Sequence, residues 1–286
     1  MMDQTTRTDL AIERMPSGRM AKKLDGADVE VEHTDGCKVT DVDIRDDRAV
    51  KAIGKPIGRY ITVEPQWTTS EASIAHVLGA QIKKLLGSCS SVLVAGLGNR
   101  QITPDSIGAR VVDGIEVTRV LYDSVGMDAR VEVSAVATGV LGDTGIETLE
   151  ILAGICDRVQ PEAVIAVDAL CARDVERISN TFQLTDTGIS PGAGVGNLRK
   201  RIDRETLGRT VIGIGVPTVV YAGTVCRNML EKLTDDSDAI GKIIEEATGD
   251  AIGELVVTPK DIDAQAERAA RIISAALNEA FDVDEL

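Results

Sequence analysis

The stretch Val92–Gly108, read as VLVAGLGNRQITPDSIG, constrains this chain more than any other. Its first part, Val92 to Ala95, is a short apolar run bounded by turn residues, as a fully buried strand of a parallel sheet would be. Gly96-Leu97-Gly98-Asn99 breaks the run, because glycine tolerates tight turns and close backbone approach. Thr103-Pro104-Asp105 then reads as a helix start, with threonine as cap, proline in the first turn and an acid at the positive end. That order places Asp105 just beyond the carboxyl end of a strand, where open α/β sheets collect ligands and catalytic groups.

The rest of the chain repeats the rhythm. After the strand at 92–96 the pattern predicts a helix at 104–121, a strand at 131–137, a helix at 145–159 and a strand at 163–167. Further strands are expected at 178–185 and 210–215, and earlier ones at Cys37–Val42 and Arg59–Val63. Ser70 to Leu86 predicts a helix capped by Ser70, with Ile74, Leu78, Ile82 and Leu85 or Leu86 as its apolar stripe and Lys83-Lys84 at its C-terminus. A charged stretch, Glu231 to Glu246, precedes a last helix from Pro259 to about Ala280, capped by Thr258, with Ile262, Ala266, Ala269, Ile272, Ile273 and Ala276 on its apolar face. Residues 1 to about 35 are polar without a sustained period and read as a partly mobile segment. The alternation predicts an α/β fold, a doubly wound and mainly parallel sheet with helices on both faces. Aromatic residues are only 2% of the chain, so Val, Ile, Leu and Ala must fill its core.

Several function classes fall away. A net charge of -15 argues against direct nucleic-acid or anionic-membrane binding. No signal peptide or membrane-length apolar run is visible, and a cytoplasmic location is expected. The five cysteines (Cys37, Cys89, Cys156, Cys171, Cys226) form no C-x-x-C pair and read as reduced, buried thiols. His33 and His76 belong to no metal-ligand motif, His76 reading as a core or boundary residue, and no G-x-S-x-G elbow is present. The loop Gly188–Asn197 is neither a phosphate-binding nor a dinucleotide fingerprint; it reads as a plain tight loop or as the wall of a peptide groove.

A second carboxylate stands out. The apolar strand Ala163–Val167 is followed at once by Asp168. If the two strands are neighbours, Asp105 and Asp168 face one crevice and can divide general-base and general-acid work. Asp105, at a helix start, is expected to be ionised and to activate water; Asp168, leaving an apolar strand, is expected to hold a proton. Spacing alone favours the plainer reading, that each carboxylate caps a turn.

Six ordered motifs change that balance. VAGLGN with TPDSIG, GVLGDTGIET (Gly139–Thr148), VIAVDALCARDVERI (Val164–Ile178), TDTGISPGAGVGN (Thr185–Asn197), IGIGVPTVVYAGT (Ile212–Thr224) and LVVTPKDID (Leu255–Asp263) together resemble the germination protease family of spore-forming bacteria. The resemblance runs from about Thr8 to the C-terminus. It implies an endopeptidase that degrades small acid-soluble spore proteins during germination, made as a zymogen that removes its own propeptide. It also implies a fold similar to hydrogenase maturation proteases, a homotetramer, and a place in the forespore or spore core.

The family's proposed catalytic aspartates carry over to Asp105 and Asp168. The segment Thr8-Asp9-Leu10-Ala11-Ile12-Glu13 resembles the family's self-processing site, itself similar to the Thr-Glu-Phe/Ile-Ala-Ser-Glu segment cut in substrates. Processing is therefore expected between Asp9 and Leu10, giving a propeptide at 1–9 and a single peptidase domain at 10–286, with its core at about 88–230 and its C-terminal helix at about 259–281. Backbone groups of Gly96, Gly98, Asn99, Gly192, Gly194, Gly196 and Asn197 are expected to position the scissile peptide. No cofactor is expected; the related maturation enzymes bind nickel through carboxylates near this crevice, but without histidines nearby any metal here would be magnesium or calcium on carboxylates rather than nickel or zinc. Two departures stand against simple transfer: only Met229 to Glu254 fills an interval that is longer in the family, and Tyr221 stands where an aspartate is common after P-T-V-V. The rival readings are a metal-assisted maturation-type peptidase and a catalytically silent binder of spore proteins.

Overall fold

A computed structural model describes residues 7–15, 24–120, 131–192, 199–231, 233–234, 240, 243–244 and 255–282. Its strands are β1 (Ala27–Thr34), β2 (Cys37–Ile44), β3 (Gly58–Pro65), β4 (Ser91–Leu97), β5 (Glu132–Gly139), β6 (Ala163–Ala172), β7 (Phe182–Thr185), β8 (Thr210–Tyr221) and β9 (Val256–Val257). They form one sheet in the order β1-β2-β3-β7-β8-β6-β4-β5, with β9 on β8. The pairs β4–β5, β4–β6 and β6–β8 are parallel, which requires crossover connections. The remaining pairs are antiparallel, and β1–β2 is a hairpin closed by Asp35 and Gly36, whose φ values of 46° and 76° suit a tight primed turn. The sheet is thus mixed: a doubly wound parallel part, β8-β6-β4-β5, extended through the antiparallel β7 to the added N-terminal strands.

Helices cover both faces. The main helices are α1 (Asp47–Ile53), α2 (Glu71–Leu86), α3 (Ile107–Asp113), α4 (Thr148–Val159), α5 (Ala222–Leu230) and α6 (Ile262–Ala280). Side chains alternate across a strand, so Ile165 and Val167 of β6 point one way and Val164, Ala166 and Asp168 the other. The first face carries one continuous core in which Ile165, Val167, Ile212, Ile214 and Ile61 pack against Ile74 and Leu78 of α2, Val111 of α3 and Ile272 and Ile273 of α6. The second face carries separate clusters: Leu93, Val164 and Ala166 under Leu152 of α4; Val42, Ile44 and Tyr60 under α1 and Ala11; and a small group of Leu10, Leu170 and Ala172. Helix α2 follows its sequence pattern closely, with Ser70 accepting a hydrogen bond from Ser73 N at 3.1 Å.

Four expectations are corrected. The helix predicted at 104–121 is a 3₁₀ turn, Thr103–Asp105, followed by the shorter α3. It stops because Asn278 of α6 captures the backbone, donating to Gly114 O at 3.0 Å and accepting from Glu116 N at 3.1 Å. The strand predicted at 163–167 continues to Ala172, and its partner at 210–215 continues to Tyr221, because β6 and β8 pair with each other beyond the end of β4. Asp168 therefore lies within a strand, opposite Gly215, and not in the turn after it. Thr258 caps no helix: its hydroxyl donates to Thr218 O at 2.8 Å, and α6 begins at Ile262. His76 is neither core nor boundary but exposed, and its Nδ1 lies 2.6 Å from Glu279 Oε1.

Part of the polar N-terminal region is also packed. Within residues 7–15, Leu10 and Ala11 are fully buried and Thr8 nearly so.

Candidate active site

The turn that presents Asp105 is built from glycines. Gly98 has φ +89°, and a Cβ there would lie 2.1 Å from Asp105 O; a Cβ at Gly96 would lie 2.1 Å from Gly108 O. Only glycine lets the Thr103–Asp105 turn and α3 press this closely on the end of β4. The side chain of Asp105 then accepts from Asn99 N at 2.7 Å. Burial raises its pKa above the ordinary carboxylate value, and the Asn99 amide opposes that rise. The rise runs against what a helix start does to an acid: desolvation outweighs the single amide.

Asp168 follows Val164 and Ala166 on the second face and stands where the α4 cluster ends and the Leu10–Leu170 group begins. Only 6% of it is exposed, and Oδ1 accepts from Ala169 N at 2.9 Å. Its pKa is pushed well above the usual range, first by burial and then by the negative charge of Asp105, with a further contribution from Asp9; the Ala169 amide opposes them. The fold therefore brings Asp168 within electrostatic reach of both Asp105 and Asp9. A proton shared within the pair is favoured over two negative charges.

The N-terminal segment runs directly over this place. Between Leu170 and Cys171 the β6–β8 register shifts, and such a bulge frees backbone groups. Asp9 takes both of those on Cys171: its N–H donates to Cys171 O at 2.9 Å, and its Oδ2 accepts from Cys171 N at 2.9 Å. Gln183 of β7 clamps the next peptide units, accepting from Ala11 N at 2.6 Å and donating to Asp9 O at 3.2 Å. Leu10, between these contacts, packs on Leu170 and Ala172. Burial raises the pKa of Asp9, and the nearby Lys55 opposes it most strongly. At the start of the segment, Arg7 donates to Tyr221 Oη at 3.1 Å and stacks 5.3 Å from its ring centroid. Tyr221, the unusual residue of its motif, is thus the seat of a cation.

Of the other residues expected at a peptide site, Gly192 has φ +70° in a loop that leaves at Ile189 and returns at Ile202, where two 2.9 Å hydrogen bonds close it. Gly194, Gly196 and Asn197 lie outside the described residues. Among the described residues no group of three or more His, Cys, Asp or Glu side chains is arranged to hold a metal ion. No helix among them is long and apolar enough to cross a membrane. Sequence reasoning missed Gln183, Lys55 and also Arg177, whose Nε lies 3.4 Å from Glu13 Oε1. Gln183 had a faint signal, a polar residue inside the apolar run Phe182–Leu184; nothing local ties the other two to residues 8–13.

Comparison with known proteins identifies the family. Residues 6–235 match the family described as Germination protease. A germination protease of Caldanaerobacter subterraneus subsp. tengcongensis is 43% identical over 95% of this chain and 93% of its own length. One of Clostridium perfringens is 39% identical over 95% and 94%, and one of Priestia megaterium 34% identical over 96% and 90%. Among solved structures, a [NiFe] hydrogenase maturation protease, HycI from Thermococcus kodakarensis KOD1, is 15% identical and aligns over 69% of this chain and 99% of its own, with a TM-score of 0.36.

Proposed function

The chain belongs to the germination protease family, and from that premise we propose that it is an endopeptidase that starts the degradation of small acid-soluble spore proteins. The observation that carries the mechanism is the pair of desolvated carboxylates, Asp105 in the turn after β4 and Asp168 one residue past the last β4 pairing of β6, beneath a seated peptide segment. In this reading Asp105, the more exposed member, takes a proton from a water as it attacks the scissile carbonyl. Asp168, protonated by virtue of its burial, gives its proton to the departing amine. No covalent bond to the enzyme forms. The Gly96–Asn99 turn acts through Asp105, which the Asn99 amide holds in place.

The seated segment supports a zymogen. Asp9 and Leu10 flank the bond proposed for self-processing, and the groups that hold them lie beside Asp168. Cleavage there would be intramolecular, so its rate would not depend on protein concentration. A homotetramer in the spore core completes the proposal, on family resemblance alone.

The test is a cleavage assay on a peptide carrying Thr-Glu-Phe-Ala-Ser-Glu, with N-terminal sequencing of both peptide and protein. A cut after the first glutamate, and a new protein N-terminus at Leu10, both lost in Asp105→Asn and Asp168→Asn and untouched by chelator, are the expected results. Loss to chelator with restoration by a divalent ion would move the chemistry to a metal. Binding of the peptide by folded protein without any cut would leave a silent binder.

A further inference from the structure

Beyond the scissile bond, the segment does not continue as a strand. Ala11 has φ -62° and ψ -39°, and Ile12–Arg14 form a 3₁₀ turn. The turn is closed from within: Thr8 Oγ accepts from Leu10 N at 3.0 Å and donates to the carboxylate of Glu13, while Arg14 donates to Thr8 O at 3.1 and 3.3 Å. It is fixed from without at one side chain above all. The Glu13 side chain, 3% exposed, accepts from Arg173 N at 2.7 Å on one oxygen and from Asp174 N at 2.9 Å on the other, with Arg177 Nε 3.4 Å away.

Every group facing that side chain is a donor. A glutamine of the same shape would turn its own N–H₂ toward N–H groups and leave buried donors unmatched. The receiving loop is itself held in place. Asn228 donates to Arg173 O at 2.9 Å, and Arg177 is oriented by Glu64, to which it donates at 2.6 Å; Lys38 holds Glu64 in turn at 3.2 Å. Nothing in the two-aspartate chemistry uses this assembly.

We propose that the Arg173 and Asp174 amides and the Arg177 guanidinium form a specificity subsite for an acidic side chain on the fourth residue after the scissile bond, and that the peptide is recognised as a closed turn. This rests on the peptidase reading given above. Arg177 is the specificity-determining side chain; it touches no reacting atom. The internal Thr8–Glu13 contact adds a second requirement, a hydroxyl on the residue two places before the cut, so that sequences with the acid but without the hydroxyl fit poorly.

Two measurements test it. The first needs no activity: amide hydrogen exchange over residues 8–15 in the full chain, for wild type, Glu13→Gln, Arg177→Gln and the double variant. Each single variant should lose about 10–100-fold of protection, the double no more than Glu13→Gln alone, as expected when Arg177 acts only through Glu13. Unchanged protection in Arg177→Gln overturns the subsite. The second compares cleavage of Thr-Asp-Leu-Ala-Ile-Glu and Thr-Asp-Leu-Ala-Ile-Gln peptides by the chain after its own processing, where the change lies in the peptide and cannot disturb folding. Wild type should prefer the glutamate peptide about 10-fold or more, mostly in KM, and Arg177→Gln should erase the preference. Equal cleavage by wild type overturns the specificity role while leaving the peptidase reading intact. Cleavage of neither peptide, with the exchange coupling as expected, overturns the peptidase reading and with it the extension of the subsite to substrates.

Discussion

The two faces of the sheet are built on opposite plans. On the face under α2, α3 and α6 one apolar core runs without interruption from β2 to β5. On the other, the apolar clusters are separate, and polar or glycine positions fall between them: Asp168, Gln183, Gly213 and Gly215. The same strands supply both faces, so the difference lies in alternate residues of single segments. Ile165 and Val167 serve the first face, and Asp168 the second, within four consecutive positions of β6. The first face supplies stability, which frees the second to hold desolvated carboxylates that oppose it. A site of that kind needs a rigid support and a gap in its own apolar cover.

The comparison can be broken from either side. The largest effect is expected from Asp168→Asn and Asp105→Asn, each lowering the rate of peptide cleavage by about a thousand-fold or more if both carboxyl groups act in the transition state; initial rates with wild type and variants produced to begin at Leu10 measure it. Next, Ile165→Ala or Ile273→Ala on the packed face should cost about 2–5 kcal/mol of stability in denaturant unfolding and leave the cleavage mechanism alone, since each removes a fully buried side chain.

Smaller effects sharpen the contrast. A Cβ at Gly215 would lie 2.4 Å from Leu170 Cδ1, so Gly215→Ala should shift Leu170, loosen Leu10 and slow self-processing several-fold, read as the appearance of the Leu10 N-terminus. The smallest effect concerns pH. A carboxylate whose pKa is raised by folding favours the folded state fully below its unfolded value, and that contribution is lost as pH rises through the folded value. Asp168 is such a group. Asp168→Asn should therefore melt a few degrees higher than wild type at neutral pH, with the gain vanishing toward pH 3.8, the unperturbed value. A variant less stable than wild type at neutral pH would show that Asp168 serves folding.

The parallel strands and α2 were legible because each is a local pattern: a buried apolar run, or a stripe with a cap at one end and lysines at the other. Asp105 and Asp168 were legible for the same reason, as carboxylates beside apolar strands. What the pattern could not give was tertiary. The early end of α3 depends on Asn278, more than 160 residues away, and the extension of β6 past Asp168 depends on β8 outlasting β4. The seat of residues 7–15 was hidden most completely. Its composition is that of a solvated tail, and its burial follows from a bulge at Cys171 and from Gln183, neither of which marks itself in the local sequence.

The position of the proposed cut within the seated segment has a kinetic consequence. Severing Asp9 from Leu10 frees the part before the bond, but Leu10 to Glu13 stay covalently joined to the body of the protein, with Glu13 in its pocket. Such a tethered end competes with any incoming peptide at a local concentration that dilution does not change, on the order of millimolar for a short flexible tether. The newly made enzyme would start from a groove already filled, and its apparent affinity for substrate would measure how readily four residues of its own chain let go. Spore proteins presented at very high concentration would displace them; scarce peptides would not. The segment proposed to restrain the protein before the cut would thus remain, after it, a threshold on what the protein attacks.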